Sequence, residues 1–362
     1  MVEKGRQKEA DVLDIYVIGV GGVGGYVVER LPMAIGSLTL DLIEKDRPID
    51  MYLEKAGNVS LPPLVRKLVL VDGDTFNPRN ALRQGMGAGG KLVQRLRRLK
   101  DDIGAFSDAA TRSEKVLLLL KRLTDSLPEG MSAATVSSDI LSLLCDHRLL
   151  PSDVRDIKRS MLAASFLQRT RILGYNNYVS PDNIEEIMPA VELDGANASQ
   201  EPDLFSGING TVVFMAVDNF KTRYEIAKYI ERFDNVLLLN GGNAKTNGHV
   251  TVYERKDGKE LDPPIYEVYE NIRPDIDKRP DELGCVQIAP AHDQLAVTNA
   301  FIADVMLSRF LMWARNGLDC VTVTDDGKSI KCRYNEILID INSPIVTPLY
   351  HPTKKPKKES KK

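Results

Sequence analysis

Residues Asp14–Gly25 read DIYVIGVGGVGG. Ile15, Val17 and Ile18 form a short β-branched run suited to a strand buried on both faces. The run breaks into Gly19, Gly21, Gly22, Gly24 and Gly25, and Tyr26–Ile35 continues with helical character. A buried strand, a glycine turn and a helix start, in that order, are the context that gives a glycine motif its meaning. The turn exposes backbone N–H groups at a helix N-terminus, where unpaired donors and the helix dipole favour phosphate. By themselves these residues leave three readings open: a bound dinucleotide, a bound mononucleotide, or tight packing.

The rest of the chain sets bounds on that choice. Its 362 residues suggest roughly two domains, or one large α/β domain carrying an insertion. With 43% hydrophobic and 27% charged residues, disordered, collagen-like and disulfide-scaffold classes are excluded. The net charge is −3, and six lysines sit in the last nine residues, so the remainder is more acidic still. Such a chain is a poor polyanion binder as a whole. No apolar run approaches the roughly 18 residues that a bilayer span needs, and Met1–Asp14 has no signal-peptide pattern. Cys145, Cys285, Cys320 and Cys332 lie far apart with no CxxC pair, so neither a zinc site nor a disulfide framework is expected. The expected location is cytoplasmic, with no membrane partner.

A second apolar strand, Leu68–Val71, ends in Asp72 and runs into Gly73-Asp74-Thr75-Phe76-Asn77-Pro78. The segment between, Gly36–Val65, holds three prolines and reads as an insertion over the sheet. From 92 to 169 the apolar residues recur at helical spacing, as in Leu92, Leu96, Leu99 and Ile103. Strand character returns at Arg171–Tyr178, Thr211–Val217, Asn235–Asn240 and, alternating, at Gly248–Glu254. Asp262–Gly284 reads as a long ordered loop, and Leu295–Asn316 as an amphipathic helix stopped by Gly317. Val321–Thr324 and Ser329–Tyr334 make a hairpin. The fold expectation is a Rossmann-like α/β domain formed by 11–91 and 170–350, with helices on both faces of a mixed sheet. A helical insertion occupies 92–169, and a disordered lysine-rich tail 353–362.

A dinucleotide fold needs a ribose-binding carboxylate about 20 residues past the glycines. Glu44, closing Leu38–Ile43, is one candidate. Asp72 is the other, at the end of the better strand and much later. Asp72, Asp74, Asn80, Arg83 and Gln84 fall within 13 positions. Two acids, an amide and a guanidinium this close suit a sugar, a phosphate chain and a metal. The plainer alternative is a solvated loop with a local Asp–Arg pair.

Four stretches in order resemble the ThiF/MoeB family of ATP-dependent activators of ubiquitin-like proteins and sulfur carriers. They are VIGVGGVGG at 17–25, LVLVDGDTFNPRNALRQ at 68–84, MAVDNFKTR at 215–223 and NGGNAKTNGHVTVY at 240–253. The resemblance implies that Gly19, Gly21, Gly22 and Gly24 cradle ATP. It implies that Asp72 holds the ribose hydroxyls, with Asp74 and Asn219 completing the nucleotide contacts. Asn80 and Arg83 are placed on the phosphates, Arg83 also on transition-state charge, and Lys91 resembles the family's phosphate lysine. Asp218 is implied to face Mg²⁺ and the reacting phosphate. A small β-grasp carrier protein and a homodimer follow from the same resemblance.

Those roles make chemical sense. Adenylation brings a carboxylate to the α-phosphate of ATP, and Mg²⁺, Arg and Lys offset the repulsion of two anions. No general base is needed, because a C-terminal carboxylate is already ionised at pH 7. His147, His249, His292 and His351 are therefore expected to be structural or surface residues.

The family's zinc-binding CxxC pairs are missing, and the 92–169 segment is longer and more helical than the usual connection. The basic stretch Arg95, Arg97, Arg98 and Lys100 reads as a solvated helix face rather than a nucleic-acid site. Cys285 follows the long loop and precedes the last helix, where the thioester-forming branch of the family places its cysteine. A thiolate there would attack the acyl-adenylate; the alternative is a small buried residue. Two other function classes stay open. One is an NAD-dependent oxidoreductase using Glu44, and the other a non-catalytic interaction module.

Overall fold

The computed structural model describes residues 13–46, 65–74, 170–189, 210–278, 295–323, 329–343 and 345–353. Eleven strands and five helices lie among them. In chain order they begin with β1 (Leu13–Ile18), α1 (Gly22–Asp46), β2 (Val65–Val71), β3 (Arg171–Tyr175) and α2 (Ile184–Ile187). Next come β4 (Gly210–Met215), α3 (Phe220–Ile230), β5 (Val236–Asn243), β6 (Asn247–Lys256), β7 (Lys259–Glu260) and α4 (Ile265–Val268). The chain closes with α5 (Ala296–Asn316), β8 (Asp319–Val323), β9 (Ser329–Arg333), β10 (Glu336–Asp340) and β11 (Ile345–Leu349).

One nine-stranded sheet runs β11-β10-β6-β5-β4-β1-β2-β3, with β7 paired to β6, and β8–β9 form a separate hairpin. Every pairing from β5 to β3 is parallel, and every pairing from β5 to β11 is antiparallel. β2 pairs with β3 although residues 75–169 separate them; that interval lies outside the described residues. Side chains alternate between two buried layers. Leu13, Ile15 and Val17 join α1 and α5 in one layer. Tyr16 and Ile18 join α2, α3 and α4 in the other. The result is the expected mixed α/β sheet covered on both faces.

Three readings of the sequence need correction. Gly36–Val65 is not an insertion from its start, because α1 runs past Gly36 to Asp46, with Pro32 also inside it. A proline inside a helix costs about 3 kcal/mol. Val27, Val28, Leu31, Ile35 and Leu38 are each no more than 1% exposed on the same face, and their burial outweighs that cost. For the same reason Glu44 lies inside a helix rather than at a strand end. The strand beside β1 is β2, and the acid that follows its end is Asp72. Finally, β6 does not alternate: Val250–Glu254 are all buried, with α5 on one side and the 262–278 segment on the other. β10 and β11, which the sequence reading did not assign, complete the antiparallel side. Among the described residues no helix is long and apolar enough to cross a membrane.

Candidate functional site

β1 has β2 on one side and β4 on the other, and α1 and α3 leave β1 and β4 toward opposite faces. The carboxyl ends of β1 and β4 thus form a switch point, where open α/β sheets hold ligands. The glycine turn sits there. Gly19 N–H donates to Val71 O at 2.8 Å, and Ala216 N–H donates to Ile18 O at 2.8 Å, stitching the turn to both neighbours. Gly19 has φ +83°, and a Cβ on Gly24 would lie 1.9 Å from Gly19 O. Neither position admits a side chain without moving the backbone. α1 opens at Gly22, so its N-terminal N–H groups face this edge.

Asp72 extends from the end of β2 back to the turn. Its Oδ2 accepts the Val20 N–H at 2.7 Å and its Oδ1 accepts the Asp74 N–H at 2.9 Å. Burial pushes its pKa from 3.8 up to about 6; the charges of Asp74 and Asp218 add to the rise, and the two N–H bonds oppose it. Asp74 is exposed and accepts a short hydrogen bond from the Tyr178 hydroxyl. Burial, and then that bond, raise the Tyr178 pKa, so the phenol stays protonated.

Asp218 lies three residues beyond β4 and is exposed. Its charge reaches Asp72, Tyr178 and Arg223, which places all four around one edge. Asn219 is the N-cap of α3, its Oδ1 accepting the Thr222 N–H at 2.7 Å. Asp277, from the 262–278 segment, accepts the Phe220 and Lys221 N–H groups at 2.8 Å each. The buried Arg223 donates to Val217 O at 3.1 and 2.7 Å, to Asn240 Oδ1 at 3.0 Å and to Gly241 O at 3.2 Å. It clamps the chain just before Asp218 to the end of β5. Burial lowers its pKa to about 10, against the pull of Asp218 and Asp277. His249, below it, is held near 4 by burial and then by the Arg223 charge, and its ring stacks on Tyr269 at 5.2 Å. It is neutral at pH 7.

The described residues thus bring Gly19, Gly21, Gly22, Gly24, Asp72, Asp74, Asp218 and Asn219 to one edge of the sheet. Asn80, Arg83, Lys91 and Cys285 lie outside the described residues, as do His147, His292 and the 92–169 segment. Sequence reading missed Tyr178 and Asp277, which no local motif marks. Arg223 was visible as the last residue of D-N-x-x-x-R, but its burial was not. Among the described residues, no three His, Cys, Asp or Glu side chains are grouped to hold a metal ion.

No family model and no curated protein matches the chain. Several solved structures align with it. One is the Escherichia coli protein MccB, at 10% identity with a TM-score of 0.42, covering 94% of this chain and 63% of that one. MccB with ATP gives 10% identity and a TM-score of 0.39, over 93% and 63% of the two chains. PaaA gives 10% identity and a TM-score of 0.40, over 93% and 72%. The chain spans less than two thirds of the length of MccB. Likeness at this level carries nothing about activity, which has to come from the residues themselves.

Proposed function

We propose that this protein uses ATP to adenylate the C-terminal carboxylate of a small ubiquitin-like or sulfur-carrier protein. The observation that carries the reading is the pair of acids on either side of one glycine turn. Asp72 is tied to the turn through Val20 N–H at 2.7 Å, and Asp218 is close enough across β1 to perturb it. This arrangement supports phosphates on the Gly19–Gly24 turn, ribose hydroxyls on Asp72 and the reacting phosphate beside Asp218. Asn80, Arg83 and Lys91 enter through the family resemblance, as phosphate ligands.

In the reaction a carrier carboxylate oxygen forms a bond to the α-phosphorus. The bond from that phosphorus to the α–β bridging oxygen breaks, and pyrophosphate leaves with the electron pair. Asp218 fits a magnesium ion, which when bound would offset the phosphate charge. The protein's own task is to hold two anions in line and keep Asp218 fixed through the Arg223 clamp on Val217. A following thioester on Cys285 belongs to the same proposal. Cys285→Ser then leaves adenylation intact and removes a reducing-agent-sensitive adduct. A wild type that forms no such adduct with its carrier limits the enzyme to adenylation.

The test is ATP–pyrophosphate exchange in the presence of a small protein or peptide ending in a free carboxylate. Exchange with the free acid and none with its C-terminal amide supports the reading. Exchange that ignores the carboxylate refutes it.

A further inference from the structure

We infer that Tyr178 is the platform on which the nucleobase stacks, with Asp74 as the residue that holds it in place. The inference rests on the nucleotide reading of the site and assigns a group that this reading left without a partner, the base. With phosphates at the end of β1 and ribose at Asp72, the base leaves the sugar on the side away from the phosphates. That side is the end of β3, the next strand outward.

Tyr178 lies three residues after β3 and is half-buried. Part of the ring lies against Gly73, where a Cβ would come within 2.6 Å of it. Its hydroxyl donates to Asp74. Its backbone oxygen accepts from Asn183 Nδ2 at 2.8 Å, and the Oδ1 of the same carboxamide accepts the Ser180 N–H at 2.9 Å. The ring is therefore fixed at its edge, its tip and its backbone, and the residue is only partly buried. A fixed aromatic surface pays little ordering cost when a planar group stacks on it. Tyr175, the other tyrosine near this strand end, packs toward the buried layer that contains α3. Asp74 is thereby a positioning residue that acts through Tyr178.

Calorimetric titration with ATP and with inorganic tripolyphosphate, which has no base, tests the inference. Tyr178→Phe keeps the ring and is expected to hold ATP within a few-fold of wild type. Tyr178→Leu keeps bulk against Gly73 but has no π face, and is expected to lose roughly tenfold in ATP affinity. Tripolyphosphate affinity stays the same in all three proteins. The inference is overturned if Tyr178→Leu binds ATP as wild type does, or if ATP and tripolyphosphate weaken equally. Wild type that binds tripolyphosphate but shows no preference for ATP also overturns it. Wild type that binds neither defeats the nucleotide reading as a whole.

Discussion

Two arginines, the buried Arg223 beside the parallel half of the sheet and the half-buried Arg333 beside the antiparallel half, keep different company. On the antiparallel side Arg333 meets carboxylates: Asp262 at 2.7 and 2.6 Å, Glu254 at 2.5 Å and Asp319 at 3.2 Å. Asp262 and Glu254 are buried and receive further hydrogen bonds from Asn335 and Trp313. Nearby, Glu336 is buried and engaged by Tyr269 and by His351 at 2.5 Å. On the parallel side Arg223 meets only neutral oxygens, and the acids nearest to it, Asp218 and Asp277, act at longer range. Charge density alone does not mark a site. Around Arg333 the charges are matched to one another, whereas the strand ends near Arg223 leave Asp74 and Asp218 exposed.

Arg333→Met should produce the largest effect on stability. Breaking a buried pair strands Asp262 and Glu254 without their cation, which costs about 3–5 kcal/mol. Urea denaturation measures it, and ATP affinity of the folded fraction should stay unchanged. A stability loss below about 1 kcal/mol would mean that the two halves do not differ as described.

A smaller effect concerns Asp72. Its pKa is raised from 3.8 to about 6. For an acid raised on folding, the stabilising contribution is full below the unfolded value and is lost as pH rises through the folded one. Ionisation of Asp72 therefore weakens the ligand-free protein between about pH 4 and pH 6. A ribose whose hydroxyls donate to Asp72 needs the ionised form, so its affinity rises over the same interval and levels off above it. Titrations of ATP at a series of pH values check the direction. Asp72→Asn should flatten the profile, and no paired residue of the antiparallel half should do so.

Much of the parallel half was legible in the sequence because its signals are local. A β-branched run, a glycine turn and an acid at a strand end each follow from a few neighbouring residues. Asp72 was read as the acid that ends β2 for this reason; the strand read as running to Asp218 stops at Met215, three residues before it. The full length of α1 was not legible, because Gly36 reads as a helix stop and only packing against the sheet and α5 carries the helix past it. β10 was hidden for a similar reason: Ile337 and Ile339 face the core only once β6 is beside them. Tyr178 and Asp277 were hidden most completely, since each meets its partner across a large sequence gap. Nothing in their own neighbourhoods marks them.

We propose that Asp218, the exposed acid after β4, serves the reacting phosphate rather than nucleotide affinity. Asp218→Ala, assayed by ATP–pyrophosphate exchange with the carboxylate substrate alongside ATP titration, tests it most directly. The account expects exchange to fall by roughly 10²-fold or more, while ATP affinity changes by only a few-fold, since the lost stabilisation belongs to the transition state. Full exchange activity in Asp218→Ala would contradict it.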